Sequence, residues 1–235
     1  MNNFRINRHS FSEIFWRIVF TNGATIIDQA KRNIISKHLE IEALRKLAEY
    51  NTGSISIAAS VGLSLLINYF RPGVVAEIGT FIGRSTYSLA LGNSLNGLKS
   101  LQIHTCDFSN DIRIDFDTIL ENVIQYPKKS STLMLNTIIS QGIFPDLYLL
   151  DGRIQNDDIP LLIKLHAENS IFLLDDFEGT EKGVSNAFTL QNLFKNKFLL
   201  AYPPSNSFLR SYGFSDSSTT AVLIPLSKIA FVNQG

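Results

Sequence analysis

The sequence predicts an α/β fold: a doubly wound, seven-stranded, mostly parallel sheet with an antiparallel C-terminal hairpin, preceded by helices. Three observations predict it. From residue 74 onward, short apolar runs alternate with helical periodicities, the pattern of buried parallel strands covered on both faces. The first of these runs leads through glycines straight into a helix. The last two runs have no clear helix between them, so they are expected to pair as a hairpin with a long loop, at least one strand antiparallel.

A chain of 235 residues is long enough for one large domain or for a domain with an extension. With 45% hydrophobic and 18% charged residues, it can bury a substantial core and does not read as disordered. Lys+Arg and Asp+Glu are both 21; without a basic excess, nucleic acid and anionic membranes are not expected partners. Cys106 is the single cysteine, so no intrachain disulfide can form, which suits a reducing, cytoplasmic location. No segment has the roughly 20 apolar residues of a membrane span, and the N-terminal stretch lacks a signal-peptide pattern.

Residues 1–72 read as a helical extension that caps the site or supports a homodimer, and residues 73–235 as the ligand-binding domain. Ile41, Leu44, Leu47 and Ala48, then Ala58, Val61, Leu65 and Tyr69, recur at helical spacing. Ser54 is the expected cap of the second of these helices, and Arg71-Pro72-Gly73 its end. The Phe11-to-Phe20 stripe reads first as helix packing, with a cap, a dimer face or a membrane face as alternatives. Strands are expected at 74–78, 101–106, 132–135, 147–150, 171–174, 198–202 and 220–224. Helices are expected at 85–91, 119–126, 159–167 and 183–194.

In an open α/β sheet, ligands bind outside the carboxyl ends of the strands, at the topological switch point. The first strand ends Glu77-Ile78-Gly79-Thr80-Phe81-Ile82-Gly83-Arg84-Ser85. Gly79 allows a sharp turn, and Gly83 allows close approach of backbone to ligand. The amides at the start of the next helix can hold a carboxylate, helped by the Ser85 hydroxyl, and Glu77 can accept from an ammonium. Asp107 ends the second strand, where a carboxylate accepts from ribose hydroxyls. One loop thus suits an amino acid and the next strand a nucleoside; S-adenosylmethionine (SAM) contains both. The spacing G-x-G-x-x-G of dinucleotide sites is absent, although an NAD-binding oxidoreductase stays open as an alternative.

Asp151 ends the fourth expected central strand, and Asp175 and Asp176 end its neighbour. Strands about 4.8 Å apart bring these tips together. Three adjacent carboxylates need a cation or shared protons, and oxygen-only ligands favour Mg²⁺, Ca²⁺ or Mn²⁺. Such a metal would bind an acceptor hydroxyl and lower its pKa. The alternative is that Asp151 and Asp175 cap strand ends or touch ligand directly.

The run from Glu77 to Ser85 resembles the first motif of the class I SAM-dependent methyltransferases, particularly the catechol O-methyltransferase-like group, and the resemblance extends over about residues 50–235 in strand and motif order. It implies a Rossmann-like sheet, SAM as cofactor, Glu77 and Ser85 at the methionyl part, Asp107 at the ribose, Phe81 near the cofactor and a backbone contact at Ile55. Gly79, Thr80, Gly83 and Asp151 complete the expected cofactor contacts. Metal-dependent members of the catechol and macrocin types are similar at the carboxylates, which implies metal ligation by Asp151, Asp175 and Asp176, with Mg²⁺ assisting. The chain departs from them at the base: Ile154 stands where the catechol type has lysine, and Arg153 where the macrocin type often has an acid. Asp157 and Asp158 are weak substitutes. Asp151 is therefore the expected acceptor-positioning residue, and no base is identified.

The expected activity is methyl transfer to a hydroxyl of a small molecule such as a sugar, phenol or natural-product precursor. A metal-independent N- or O-methyltransferase and a non-catalytic SAM-binding module are the alternatives. His104 and Cys106 share a strand face and read as core, and His166 as a surface residue. Phe208, Arg210, Tyr212 and Phe214 fall in the last loop, which either lines the acceptor pocket or is simply ordered.

Overall fold

A computed structural model describes residues 8–48, 54–97, 101–109 and 122–229. Three helices come first: α1 (Arg8–Asn22), α2 (Ile27–Lys46) and α3 (Ile57–Phe70). The sheet region follows with β1 (Val74–Ile78), α4 (Arg84–Leu95), β2 (Gln102–Asp107), β3 (Val123–Pro127), α5 (Ser131–Ser140) and β4 (Leu147–Leu150). It continues through α6 (Ile159–Lys164), β5 (Ile171–Leu174), α7 (Lys182–Leu193), β6 (Phe198–Ala201), α8 (Asn206–Ser211) and β7 (Ala221–Pro225).

The strands form one seven-stranded sheet in the order β3-β2-β1-β4-β5-β7-β6. β1 to β5 pair in parallel, and β7 runs antiparallel to both β5 and β6. The chain winds outward from β1 through β2 to β3, then returns to β4 on the other side of β1. The switch point therefore lies between β1 and β4, where Ile78 pairs with Leu150.

The two-residue period of the strands separates two apolar layers. Val75, Ile103, Leu147, Leu149, Leu173 and Val222 face α1 to α4, while Ala76, Cys106, Tyr148, Leu150, Phe172 and Leu223 face the layer of α5, α6 and α7. Tyr148 stacks on Phe172 with ring centroids 4.9 Å apart. The N-terminal helices share the first layer: Phe11, Phe15, Trp16, Val19 and Phe20 are all buried in it. The Trp16 indole donates to the Tyr202 carbonyl at 2.7 Å, and Ser12 accepts from the Tyr202 amide at 3.0 Å. The aromatic stripe of α1 is thus packing surface, one of the expected readings.

Four local expectations need correction. Residues 132–135 are helical, not a strand: Ser130 caps α5 by accepting from the Leu133 amide, and Met134, Leu135 and Ile138 form its buried face. The third strand is instead Val123–Pro127, overlapping the expected helix 119–126, whose first residues, 119–121, lie outside the described ones. This edge strand is only half-buried, so its apolar signal is weak, and its β-branched Val123 and Ile124 with Tyr126 carry the preference. Ser56 rather than Ser54 caps α3, its hydroxyl accepting from the Ala59 amide at 3.0 Å. The long final loop contains a helix, α8, capped by Ser205. His104 and Cys106 are core residues as expected, 0% and 1% exposed. Burial pushes the Cys106 thiol up to about 12.

α3 and α4 lie close enough for Ser64 to donate to the Ser88 carbonyl at 2.7 Å. Gly92 makes this approach possible, since a Cβ there would meet the Ser64 carbonyl oxygen at 2.3 Å. Gly92→Ala would favour an isolated helix by about 1 kcal/mol, but overpacking against backbone costs ~1–3 kcal/mol. The clash wins because the Ser64 backbone cannot rotate away. Thermal unfolding of Gly92→Ala is expected to show a net loss of about 1–2 kcal/mol, and an unchanged or raised melting temperature would refute this packing argument.

Candidate active site

The tips of β1, β2, β4 and β5 wall a cleft of about 600 Å³, lined by Gly79, Phe81, Asp107, Ser109, Asp151, Asp175, Asp176 and Lys182 among others. Its volume is in the range of small-ligand and cofactor sites. The N-terminal end of α3 contributes Ser54, Ile55 and Ser56, and the loop before β7 contributes Ser217 and Thr219. These two edges are tied together: Ser56 donates to the Ser217 carbonyl at 2.6 Å, and Asp216 accepts from the Ala58 amide at 3.1 Å.

Backbone geometry sets the turn after β1. Gly79, Phe81 and Gly83 all have positive φ, at +97°, +48° and +95°. Gly79 is obligatory for a second reason: a Cβ there would lie 2.9 Å from the Asp151 carbonyl carbon. The Asp151 and Gly152 amides donate to the Ile78 carbonyl at 2.9 and 2.8 Å, and the Gly79 amide donates to the Cys106 carbonyl at 3.0 Å. Three strand tips are therefore stitched through one turn. Asp107 fixes the turn from the side, accepting from the Phe81 amide and the Ser109 amide at 2.7 Å each. One amide engages each carboxylate oxygen, which leaves acceptor capacity on both.

Glu77 is placed differently from expectation. It is fully buried and does not line the cleft. Its carboxylate accepts from the hydroxyls of Ser85 and Thr86 at 2.5 Å and of Thr105 at 2.6 Å. Burial pushes its pKa upward against those hydrogen bonds. Glu77 thus locks β1, β2 and the start of α4 together. The Ser85 hydroxyl is committed to Glu77, although Ser85, Thr80 and Phe81 also wall a narrow recess beside the cleft. The Thr80 and Thr105 hydroxyls bond each other behind it.

The three aspartates converge on the cleft as expected, with a partner the sequence reading missed. The Lys182 ammonium lies 2.5 Å from Asp151 and 3.0 Å from Asp176. Burial opposes its charge, but these ion pairs prevail and hold it above the usual lysine range. Burial, then the Asp175 charge, pushes the Asp151 carboxyl upward against Lys182. Asp175 is pushed up by burial and by Asp176, and one of its oxygens accepts from the Thr219 and Thr220 hydroxyls at 3.2 Å each. Gly183 explains why the lysine sits here. A Cβ at Gly183 would come within 2.2 Å of the Asp175 carbonyl oxygen, so only glycine lets α7 start against the end of β5. Three carboxylates demand a compensating cation, and a lysine before a glycine at a helix start was the available signal.

The remaining candidates are structural. Asp158 accepts from Ser131, Thr132 and the Gln155 amide, which removes it as a base. Phe208 and Tyr212 pack on Phe20, and Lys31 sits 4.6 Å over the Phe214 ring. The final loop therefore lines the cleft through Ser217 and Thr219 rather than through its aromatic residues. His166 is exposed, as expected. Among the described residues, no group of three or more His, Cys, Asp or Glu side chains is disposed to hold a metal ion, and no helix is long and apolar enough to cross a membrane.

No protein-family profile and no curated protein matches the sequence. Solved structures do match its fold. The chain is similar to the O-methyltransferase TomG of Streptomyces achromogenes in complex with SAM, with a TM-score of 0.56 at 15% identity over 79% of this chain and 87% of that one. It is also similar to an O-methyltransferase of Bacillus cereus in complex with SAH, with a TM-score of 0.56 at 17% identity over 81% and 89%. A methyltransferase of Geobacter sulfurreducens gives 0.55 at 12% identity over 82% and 88%. At these identities the likeness establishes the fold: a Rossmann-like, seven-stranded methyltransferase sheet.

One buried side chain governs how rigidly Asp151 is presented. Asn186 on α7 accepts from the Ile154 amide at 3.0 Å and donates to the Gly152 carbonyl at 2.8 Å. Replacing it by leucine keeps the volume and strands both backbone groups, each worth ~1–3 kcal/mol when left unpaired. Urea unfolding of Asn186→Leu is expected to show a loss of about 2 kcal/mol; a loss within experimental error would show that the loop holds itself.

Proposed function

We propose that this chain is a SAM-dependent methyltransferase that moves a methyl group to a hydroxyl of a small molecule. One observation carries the reading. At the β1/β4 switch point, the glycine turn of β1 and the amide-held Asp107 face the same cleft as Asp151 and Lys182. The fold shared with O-methyltransferases solved with SAM or SAH supports it.

The residues fit SAM in stages. Asp107 has acceptor capacity for two ribose hydroxyls. Phe81 and Gly79 bound the cofactor's passage along the strand tips, and Ser54 to Ser56 close it from above. The bound cofactor supplies a sulfonium methyl, so the protein has only to orient the acceptor and take its proton. Lys182, with donors beyond those given to Asp151 and Asp176, stabilises charge developing on the acceptor oxygen. Asp151 accepts the hydroxyl proton as that oxygen forms its bond to the methyl carbon and the carbon–sulfur bond breaks.

Beside the residues given to the cofactor, the cleft carries the hydroxyls of Ser109, Ser217 and Thr219, and Phe81 is the aromatic residue in its lining. That surface suits a polyhydroxylated acceptor, such as a sugar, better than a flat apolar ring. The helices of residues 1–72 serve as the cap. Their aromatic stripe is spent on the sheet, and α3 supplies the upper edge of the cleft.

Isothermal calorimetry tests the reading. SAM and SAH are expected to bind with one site per chain, and NAD is not. Asp107→Ala removes hydrogen bonds to a charged acceptor, worth ~1.5–3 kcal/mol, so SAM affinity is expected to fall about 10–100-fold. Release of SAH against a panel of sugars and phenols then reads turnover. Absence of heat with both SAM and SAH would end this assignment.

A further inference from the structure

We propose that Lys182 is the resident cation of this site, standing where Asp151, Asp175 and Asp176 would otherwise hold a divalent ion, so that the cleft works without a metal. The chemical use of that cation rests on the methyl-transfer reading; its placement does not.

A divalent oxygen site needs an open central point that its carboxylates reach at about 2.0–2.6 Å, with water completing the shell. The donor set here does not meet that demand. The central position between Asp151 and Asp176 is filled by the Lys182 ammonium at 2.5 and 3.0 Å. Asp175, the third carboxylate, turns one oxygen to two threonine hydroxyls. Asp176 is held in the left-handed region at φ +49°, which fixes the direction of its side chain relative to β5.

The lysine is positioned by its backbone. Gly183 presses the first turn of α7 against the carbonyls of Asp175 and Asp176, and Asn186, one turn on, clamps the loop after Asp151. The same helix therefore sets both members of the ion pair. At Ile154, where the resembling enzymes carry lysine, this chain packs an apolar side chain into the lower core. The positive charge enters the cleft from α7 instead.

Mn²⁺ titration followed by electron paramagnetic resonance, on the full chain without SAM, tests this. The wild type is expected to leave the free Mn²⁺ signal undiminished. Lys182→Met exposes three carboxylates without a counter-charge and is expected to bind one Mn²⁺ on the order of tenfold or more tighter. Lys182→Arg keeps the charge and should behave as wild type. Stoichiometric micromolar Mn²⁺ binding by the wild type would overturn the proposal, and so would the absence of any gain in a folded Lys182→Met. If circular dichroism shows Lys182→Met unfolded, wild-type turnover decides: an undiminished rate after EDTA dialysis supports the proposal, and a loss restored by Mg²⁺ overturns it. SAM calorimetry on the same samples separates the two readings, because a chain that binds no SAM sinks the methyl-transfer assignment whatever the Mn²⁺ result.

Discussion

The site depends on how closely the tips of β1 and β4 can approach. Parallel neighbours in a sheet normally diverge once hydrogen bonding stops, because each chain must leave for its own helix. Here both the Asp151 and Gly152 amides donate to the Ile78 carbonyl, and the missing Cβ of Gly79 leaves room for the Asp151 backbone. Any side chain at Gly79 would push the two tips apart. Asp151 would then leave the cleft, and its ion pair with Lys182 would stretch. The geometry of the cleft is thus a property of backbone packing at one glycine before it is a property of any charged group.

Glu77 serves the same constraint from below. A buried carboxylate costs several kcal/mol without partners, and three hydroxyls from two elements supply them. The first residue of the motif therefore serves the fold, while its later residues, Gly79 and Phe81, line the cleft. The turn is held open on one side by Glu77 and on the other by Asp107, whose oxygens accept from the Phe81 and Ser109 amides. Removal of either support would let the turn relax toward ordinary backbone angles.

Much of this was legible in the sequence, and the failures have physical reasons. Buried central strands such as Leu147–Leu150 and Ile171–Leu174 are continuous apolar runs, and their type is plain. Their terminal aspartates followed directly. The edge strand β3 is half-exposed, so its run is mixed, and the four-residue apolar stretch of α5 was as short as a strand. Without Ser130 recognised as a cap, the two exchanged places. Lys182 was missed for another reason: the lysine–glycine pair at a helix start marks a candidate but names no partner. It acts across a loop from Asp176 and across a strand from Asp151, and no spacing rule relates residues that meet only after α7 docks.

The charge of the cleft bears on which nucleotide it holds. The chain as a whole is neutral, yet Asp107, Asp151, Asp175 and Asp176 line the cleft against Lys182. Four carboxylates face one ammonium, and burial with like-charge repulsion pushes Asp151 and Asp175 toward their protonated forms. Like charges about 4 Å apart repel by ~4 kcal/mol at the effective dielectric near a protein surface. A dinucleotide would bring its anionic pyrophosphate to the turn after β1, beside the Asp151 backbone that already fills the space at Gly79. A ligand that carries positive charge toward Asp151, Asp175 and Asp176 is attracted by the wall that repels phosphate. The sign of the wall therefore favours a cationic ligand over an anionic one at the tips of β4 and β5.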